Sequence, residues 1–439
     1  MVEGIKIRRK RGISIVPMTL SLILLLTSCS SPVTRGKWNR DPAISPGNEP
    51  GKLLSQPDES NGFSDEFRNS LLGFSWNIFR ESSQNEGNIL ISPASVYLAL
   101  GMTYNGADTE TRQAMEEVLN ASGLSMEEFN AACRDYISLL HATGDKTELS
   151  IGNSIWYRDT FHADKDFLKK NKDVFGAEVR SLDFGKPEAA ATINQWVKEE
   201  TKNTIDKMVD QIDMDTVMYL INAVYFKSEW QVPFSANDTR DAEFYRPDGD
   251  KTVPFMNQNG EMAYLAKDGI QGVVLPYDDG RFQFFALLPK EGEDVRSFIR
   301  EQNGLNIHDY LLSMEKEYLH LALPKFETRF EDSMKDELTG LGMGIAFDAG
   351  SADFSLMSDT HKKILYINEV KHKPFCRVDE LGTEASAVTS VEMRLTGAPL
   401  EPNIQVIFDR PFVYGIADTV TGAPLFLGIM EDPGNRAGQ

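Results

Sequence analysis

The sequence predicts an α+β fold, and two kinds of segment carry the prediction. Serine caps followed by apolar residues at three- and four-residue spacing recur at Ser64, Ser92 and Ser125, the pattern of helices packed on a core. Around and after them lie long apolar or alternating stretches, 219–234 (YLINAVYFKSEWQVPF), 275–289 and 425–433, with the length and patterning of strands. No internal repeat is present, and 439 residues with 41% hydrophobic content can bury a large core. A formal charge of −21 argues against a nucleic-acid partner, since a phosphate backbone needs a surface excess of Lys and Arg.

The amino terminus reads as an address and a tether. Lys6, Arg8, Arg9, Lys10 and Arg11 precede an apolar run over 13–26 that Pro17, Thr19 and Ser21 interrupt, too short for a membrane span and of the form of a secretory signal. It ends in Leu26, Thr27, Ser28 and Cys29, which resembles the bacterial lipobox; that resemblance implies cleavage before Cys29 and lipidation of it, with several acyl chains for stable anchoring. Ser30 rather than Asp follows, implying the outer membrane, periplasmic or surface face. Removing residues 1–28 takes away five basic groups and one acid and leaves a charge of −25. Residues 30–62 carry Pro32, Pro42, Pro46, Pro50 and Pro57 among Gly, Ser and Asn and read as a flexible tether. The expected organisation is a lipoprotein signal peptide over 1–28, lipidated Cys29 and tether over 29–62, and one folded domain over 63–436.

The folded part starts with a helix capped by Ser64, with Asp65 and Glu66 in its first turn and Phe67, Leu71, Phe74 and Ile78 on one face. In 88–100 (NILISPASVYLAL) a short strand meets Ser92 as cap and Pro93 at the first helical position, where its missing N–H costs nothing. Ser125 and Glu128 form a capping box before a helix that turns Phe129, Cys133, Tyr136, Ile137 and Leu140 inward. A strand, a helix and a strand are expected over 149–183, and further strands at 253–258, 275–289 and 322–326. Cys29, Cys133 and Cys376 have no paired spacing, so neither a disulfide framework nor a metal site is expected; Cys133 and Cys376 read as small buried hydrophobes.

Residues 380–400 (ELGTEASAVTSVEMRLTGAPL) alternate. Thr383, Ala385, Ala387, Thr389, Val391 and Met393 fall on one face of an extended chain, small, β-branched or flexible; Glu384, Ser386, Val388, Ser390, Glu392 and Arg394 fall on the other. Gly382 precedes the run, and Thr396, Gly397, Ala398 and Pro399 end it as an exposed tip.

Gly382, Thr383, Glu384, Ala385, Ser386, Ala387, Val388 and Thr389 strongly resemble the proximal hinge of inhibitory serpins, with His372 and Lys373 the expected distance before it. Phrases at 88–115, 193–209, 219–234, 322–326, 334–347, 352–354, 408–414 and 425–433 extend the resemblance over about 63–434. It implies a single serpin domain with three β-sheets, about eight or nine helices and an exposed reactive-centre loop at about 382–400. The implied activity is that of a suicide substrate for serine proteases, not an enzyme: the protease cuts the loop, forms an acyl-enzyme, and is trapped as the loop inserts into the main sheet. Family spacing places the scissile bond at Thr396–Gly397, suiting elastase-like or subtilisin-like proteases. A shift of one to three residues would present Leu395 or Met393, suiting chymotrypsin-like or cathepsin-type pockets, or Arg394, suiting a trypsin-like one, and papain-like cysteine proteases stay open as targets. Ser92, Ser95, Asn222 and His372 match the shutter beneath the main sheet, and Trp230 matches the breach tryptophan where the loop first enters. Leu381 departs from the acid or lysine often found at its position, and Phe255 from the commoner form of its phrase. No cofactor and a monomer are implied.

A hydrolase is the first competitor, since Ser92, Ser95 and His372 exist; but there is no G-x-S-x-G elbow, no HExxH and no glycine-rich phosphate loop, and the Ser92 oxygen is wanted as a cap. The second is a non-inhibitory serpin acting as a binding or carrier protein. Thr383 and the alanine run favour inhibition over it.

Overall fold

The computed structural model describes residues 63–278, 280–383 and 402–434, with backbone alone for 304–306. Ser64 Oγ accepts from the Phe67 amide at 3.2 Å and starts α1 (Asp65–Ser82), whose Phe67, Leu71, Phe74 and Ile78 are all buried. After β1 (Ile89–Ile91), Ser92 Oγ accepts from the Ser95 amide at 3.4 Å and Pro93 opens α2 (Pro93–Tyr104). α3 (Thr109–Val118) follows, then α4 (Met126–His141), whose capping box is complete: the Glu128 carboxylate accepts from the Ser125 amide at 2.9 Å. The expected strand, helix and strand are β2 (Thr147–Arg158), α5 (Lys165–Phe175) and β3 (Glu178–Leu182). Next come α6 (Pro187–Glu200), β4 (Met218–Glu229), β5 (Arg240–Phe244), β6 (Lys251–Lys267), β7 (Ile270–Pro276) and β8 (Phe282–Leu288). The chain continues through α7 (Val295–Glu301), α8 (Gly304–Leu312), β9 (Glu315–Pro324), β10 (Phe326–Arg329), α9 (Lys335–Leu338), β11 (Phe375–Val378) and β12 (Gly382–Thr383). β13 (Ile404–Ile407), β14 (Phe412–Asp418) and β15 (Pro424–Met430) close it.

Hydrogen bonding joins these strands into two networks. One sheet has the order β10-β11-β12-β4-β2-β3. The other runs β1-β15-β14-β8-β7-β6-β9-β13, with β5 on β6. The 17-residue β6 passes between two sheets: Lys251–Phe255 pair with β5, the middle with β9, and Ala263–Lys267 with β7. Three sheets are thus continuous as two networks. The expected strand over 275–289 is interrupted, because Gly280, at φ +66°, donates to the Tyr277 carbonyl at 3.0 Å and turns the chain between β7 and β8.

One core holds the layers together. α2 is buried on nearly every side because it packs between β4 of the first sheet and β15 of the second. A smaller cluster of Trp156, Ile193, Trp196, Val197 and Ile221 seals α6 onto the opposite face of the first sheet. Cys133 and Cys376 are buried and form no disulfide among the described residues, and Phe255 is packed in the core. No described helix is long and apolar enough to cross a membrane.

Candidate functional site

After Val378 the chain reverses on itself. The Asp379 amide donates to the Gly382 carbonyl at 3.0 Å across Glu380 and Leu381, and Gly382–Thr383 run back as β12. β12 is antiparallel both to β11, through Val378–Thr383, and to β4, through Gly382–Glu229 and Thr383–Ser228. The turn is tied on every side. The Asp379 carboxylate accepts from the Leu381 amide and from Arg377, each at 3.0 Å. Glu380 takes Lys325 at 2.6 Å and the Thr239 hydroxyl at 2.8 Å; burial pushes its carboxyl up, but these hydrogen bonds outweigh it and hold the group below the usual range.

Behind the turn stands Trp230. Its amide donates to the Leu381 carbonyl and its indole Nε1 to the Asp379 carbonyl, both at 2.8 Å, and its ring stacks on Tyr277 with centroids 4.8 Å apart. Glycine at 382 answers a close approach: a Cβ there would lie 2.0 Å from the Ser228 carbonyl oxygen. Thr383 is 2% exposed, and its hydroxyl is 2.5 Å from that of Tyr277.

Below β12 the rest of β4 pairs with β2 on one side and, among the described residues, with no strand on the other. Facing that edge across a cleft of about 200 Å³ is segment 364–372, and the floor of the cleft is α2. The segment's strand pairing is confined to one bridge, His372 with Asp332. His372 Nε2 accepts from the Ser92 amide at 2.9 Å, which places the ring proton on Nδ1, and burial pushes the imidazole pKa down to about 3. Asn222 donates to Asn153 Oδ1 at 2.7 Å, and Asn153 donates to the Phe175 carbonyl at 2.8 Å. Asn222 Oδ1 is buried with no donor among the described residues. Ser95, Asn222 and His372 line the same cleft. No group of three or more His, Cys, Asp or Glu able to hold a metal occurs among the described residues.

A family model described as Serpin (serine protease inhibitor) matches residues 69–433. The chain belongs to the serpin family. An uncharacterized serpin-like protein of Thermococcus kodakarensis is 34% identical over 83% of this chain and 85% of its own. The leukocyte elastase inhibitor of Xenopus laevis is 30% identical over 82% of this serpin and 97% of its own chain. Among solved structures, the thermophilic serpin tengpin in its native state superposes with a TM-score of 0.78 at 36% identity, covering 87% of this chain and 97% of tengpin. Human thyroxine-binding globulin complexed with thyroxine superposes at 0.76 with 26% identity, covering 84% and 99%.

In this serpin three of the four shutter candidates, Ser95, Asn222 and His372, line one cleft, and the fourth, Ser92, is tied to His372 through its amide, while Asn222 turns to Asn153, so the four do not form a single chain of bonds. The Ser92 hydroxyl caps α2 instead of reaching the imidazole, so these two residues form no nucleophile and base. Trp230, Gly382 and Thr383 come together at the upper end of the sheet. Glu384, Ala385, Ser386, Ala387, Val388 and Thr389, the scissile candidates Met393, Arg394, Leu395, Thr396 and Gly397, and Cys29 lie outside the described residues. Two residues of the site went unnoticed in the sequence. Asn153 had a usable signal, an amide on the inward face of β2 between Ile151 and Ile155. Tyr277 had none, because an aromatic residue at the end of an apolar strand reads as ordinary core.

Proposed function

We propose that this serpin is a suicide-substrate inhibitor of serine proteases. The observation that carries the reading is β12, a strand seated between β4 and β11 and antiparallel to both, above a length of β4 without a described partner on that side. A chain turning back after Val378 already runs in the direction that insertion requires. In the proposed reaction the protease serine hydroxyl attacks the carbonyl carbon of residue 396, the 396–397 amide bond breaks, and the Gly397 amine leaves with the proton. An ester joins protease to inhibitor. Insertion of about a dozen residues would form a similar number of ladder hydrogen bonds, on the order of 10 kcal/mol in all, and outruns hydrolysis of that ester.

Thr396 as the residue before the cut favours elastase-like or subtilisin-like targets, and the leukocyte elastase inhibitor among the relatives accords with this. Lipidation of Cys29 would hold the inhibitor at the bacterial outer membrane. Fatty-acid labelling that survives a Cys29→Ala change would sink that part.

The test mixes residues 30–439 with an elastase-like and a trypsin-like protease, separates the products on a denaturing gel, and weighs the released carboxy-terminal peptide. A protease-sized shift with a peptide beginning at Gly397 is expected. A different start moves the bond while keeping the mechanism. Cleavage with no covalent product, for every protease tried, overturns the inhibitor reading in favour of a carrier.

A further inference from the structure

We infer that Tyr277 is a latch that holds the hinge docked in the sheet before cleavage, an inference that rests on the inhibitor reading for its function but not for its geometry. Three observations converge. First, Thr383 is the last described residue of the hinge, and its buried hydroxyl meets the Tyr277 hydroxyl at 2.5 Å. Second, Tyr277 is fully buried and immobilised: its ring stacks on Trp230, lies edge-on to Phe226 at 5.2 Å, and its backbone bridges Trp230 and bonds the Phe282 carbonyl at 3.1 Å. Third, Gly382 and Thr383 are the described residues of this strand. Two residues make few ladder bonds, and a buried side-chain bond is a large part of what holds them.

Without the Tyr277 hydroxyl, Thr383 would leave a buried hydroxyl without this partner, and withdrawing the hinge into water would satisfy it. The latch thus biases a two-state element toward docking. Its consequence is kinetic. Insertion competes with hydrolysis of the acyl-enzyme, and a hinge already seated between β4 and β11 starts that race with its first residue pair formed. Tyr277 is therefore a positioning residue that raises the share of encounters ending in trapped protease.

Tyr277→Phe and Thr383→Val each remove one hydroxyl and keep the shape, and the Phe ring preserves the stack on Trp230. Two measurements apply to the wild type, both single variants and the double variant. Amide hydrogen exchange over 379–383 reads hinge docking without any protease; Tyr277→Phe is expected to accelerate it roughly tenfold, the weight of one buried hydrogen bond. Gel quantification reads the ratio of cleaved inhibitor to covalent complex, which is expected to rise several-fold. Both effects should be largely absent when Tyr277→Phe is made on the Thr383→Val background, because the pair is then already broken. Exchange and ratio unchanged in Tyr277→Phe overturn the latch, as does an effect equally large on the Thr383→Val background. Accelerated exchange in a chain whose wild type traps no protease keeps the latch and removes the inhibitor reading.

Discussion

His372 and Glu337 give this serpin two opposed responses to pH. Burial lowers the imidazole pKa to about 3 from an ordinary 6.5, so between those values the unfolded chain binds the extra proton. The stability that His372 contributes is complete above 6.5 and is lost as pH falls, by at most about 2 kcal/mol between 6.5 and 5. Glu337 runs the other way. Burial first, and then the neighbouring Asp332, raise its carboxyl from 4.5 to about 7, while Asn85 donates to both acids. The folded chain holds the proton here, so stability declines as pH rises through 4.5–7. Urea unfolding should therefore find His372→Gln less sensitive than wild type to acidification from pH 7 to 5, and Glu337→Gln stabilised more at pH 8 than at pH 4. A His372→Gln curve parallel to that of the wild type would show that the ring is not kept neutral by the fold. The Gly382 position is steric: Gly382→Ala must part β12 from β4, since the new Cβ meets a backbone carbonyl at 2.0 Å, and faster exchange over 379–383 is the expected result.

At the scale of the element, the β11–β12 hairpin is the unit on which the proposed inhibition turns. Lys325 from the linker between β9 and β10 and Thr239 from before β5 hold Glu380, so the hairpin is fixed by both networks of strands. Thr383→Glu tests the unit as a whole. It places an unpaired carboxylate beneath the sheet, a cost of several kcal/mol that expels β12, and it should cut the yield of covalent complex by more than about tenfold while the loop is still cleaved. Undiminished trapping would mean that this position does not enter the sheet. The elements differ in how far the sequence announced them. α1, α2 and α4 could be read residue by residue, because a serine cap and an apolar stripe are local signals. The seat of β12 could not: its described residues, Gly382 and Thr383, are placed in the sheet by neighbours that no local pattern names. The alternation from Thr383 onward announced an extended chain with a small-residue face, while the sheet edges it would meet, on β4 and β11, lie about 155 and 5 residues away respectively and come together only in the fold.

For the whole molecule the expected signature is thermal. Insertion worth on the order of 10 kcal/mol in a domain of this size raises the melting temperature by roughly 10–15 °C, so loop-cleaved protein should melt that much above intact protein. An unchanged melting temperature after cleavage would mean that the loop stays out and would favour the carrier. Calorimetry before and after a single cut in the loop decides between them.

The sequence by itself determined the α+β class, the principal capped helices, the two buried thiols and membership of the serpin family, because caps, periodicity and family phrases are written in neighbouring residues. Tertiary structure alone decided that Thr383 meets Tyr277, that Asn222 turns to Asn153 rather than His372, and that β4 and segment 364–372 line one cleft. Each of these joins residues about 70 to 150 positions apart in the chain, or 100 and more for the hinge, and depends on which strands the packed core sets side by side. No local pattern encodes such a choice, since a buried hydroxyl or amide bonds whichever partner the assembled layers bring within reach.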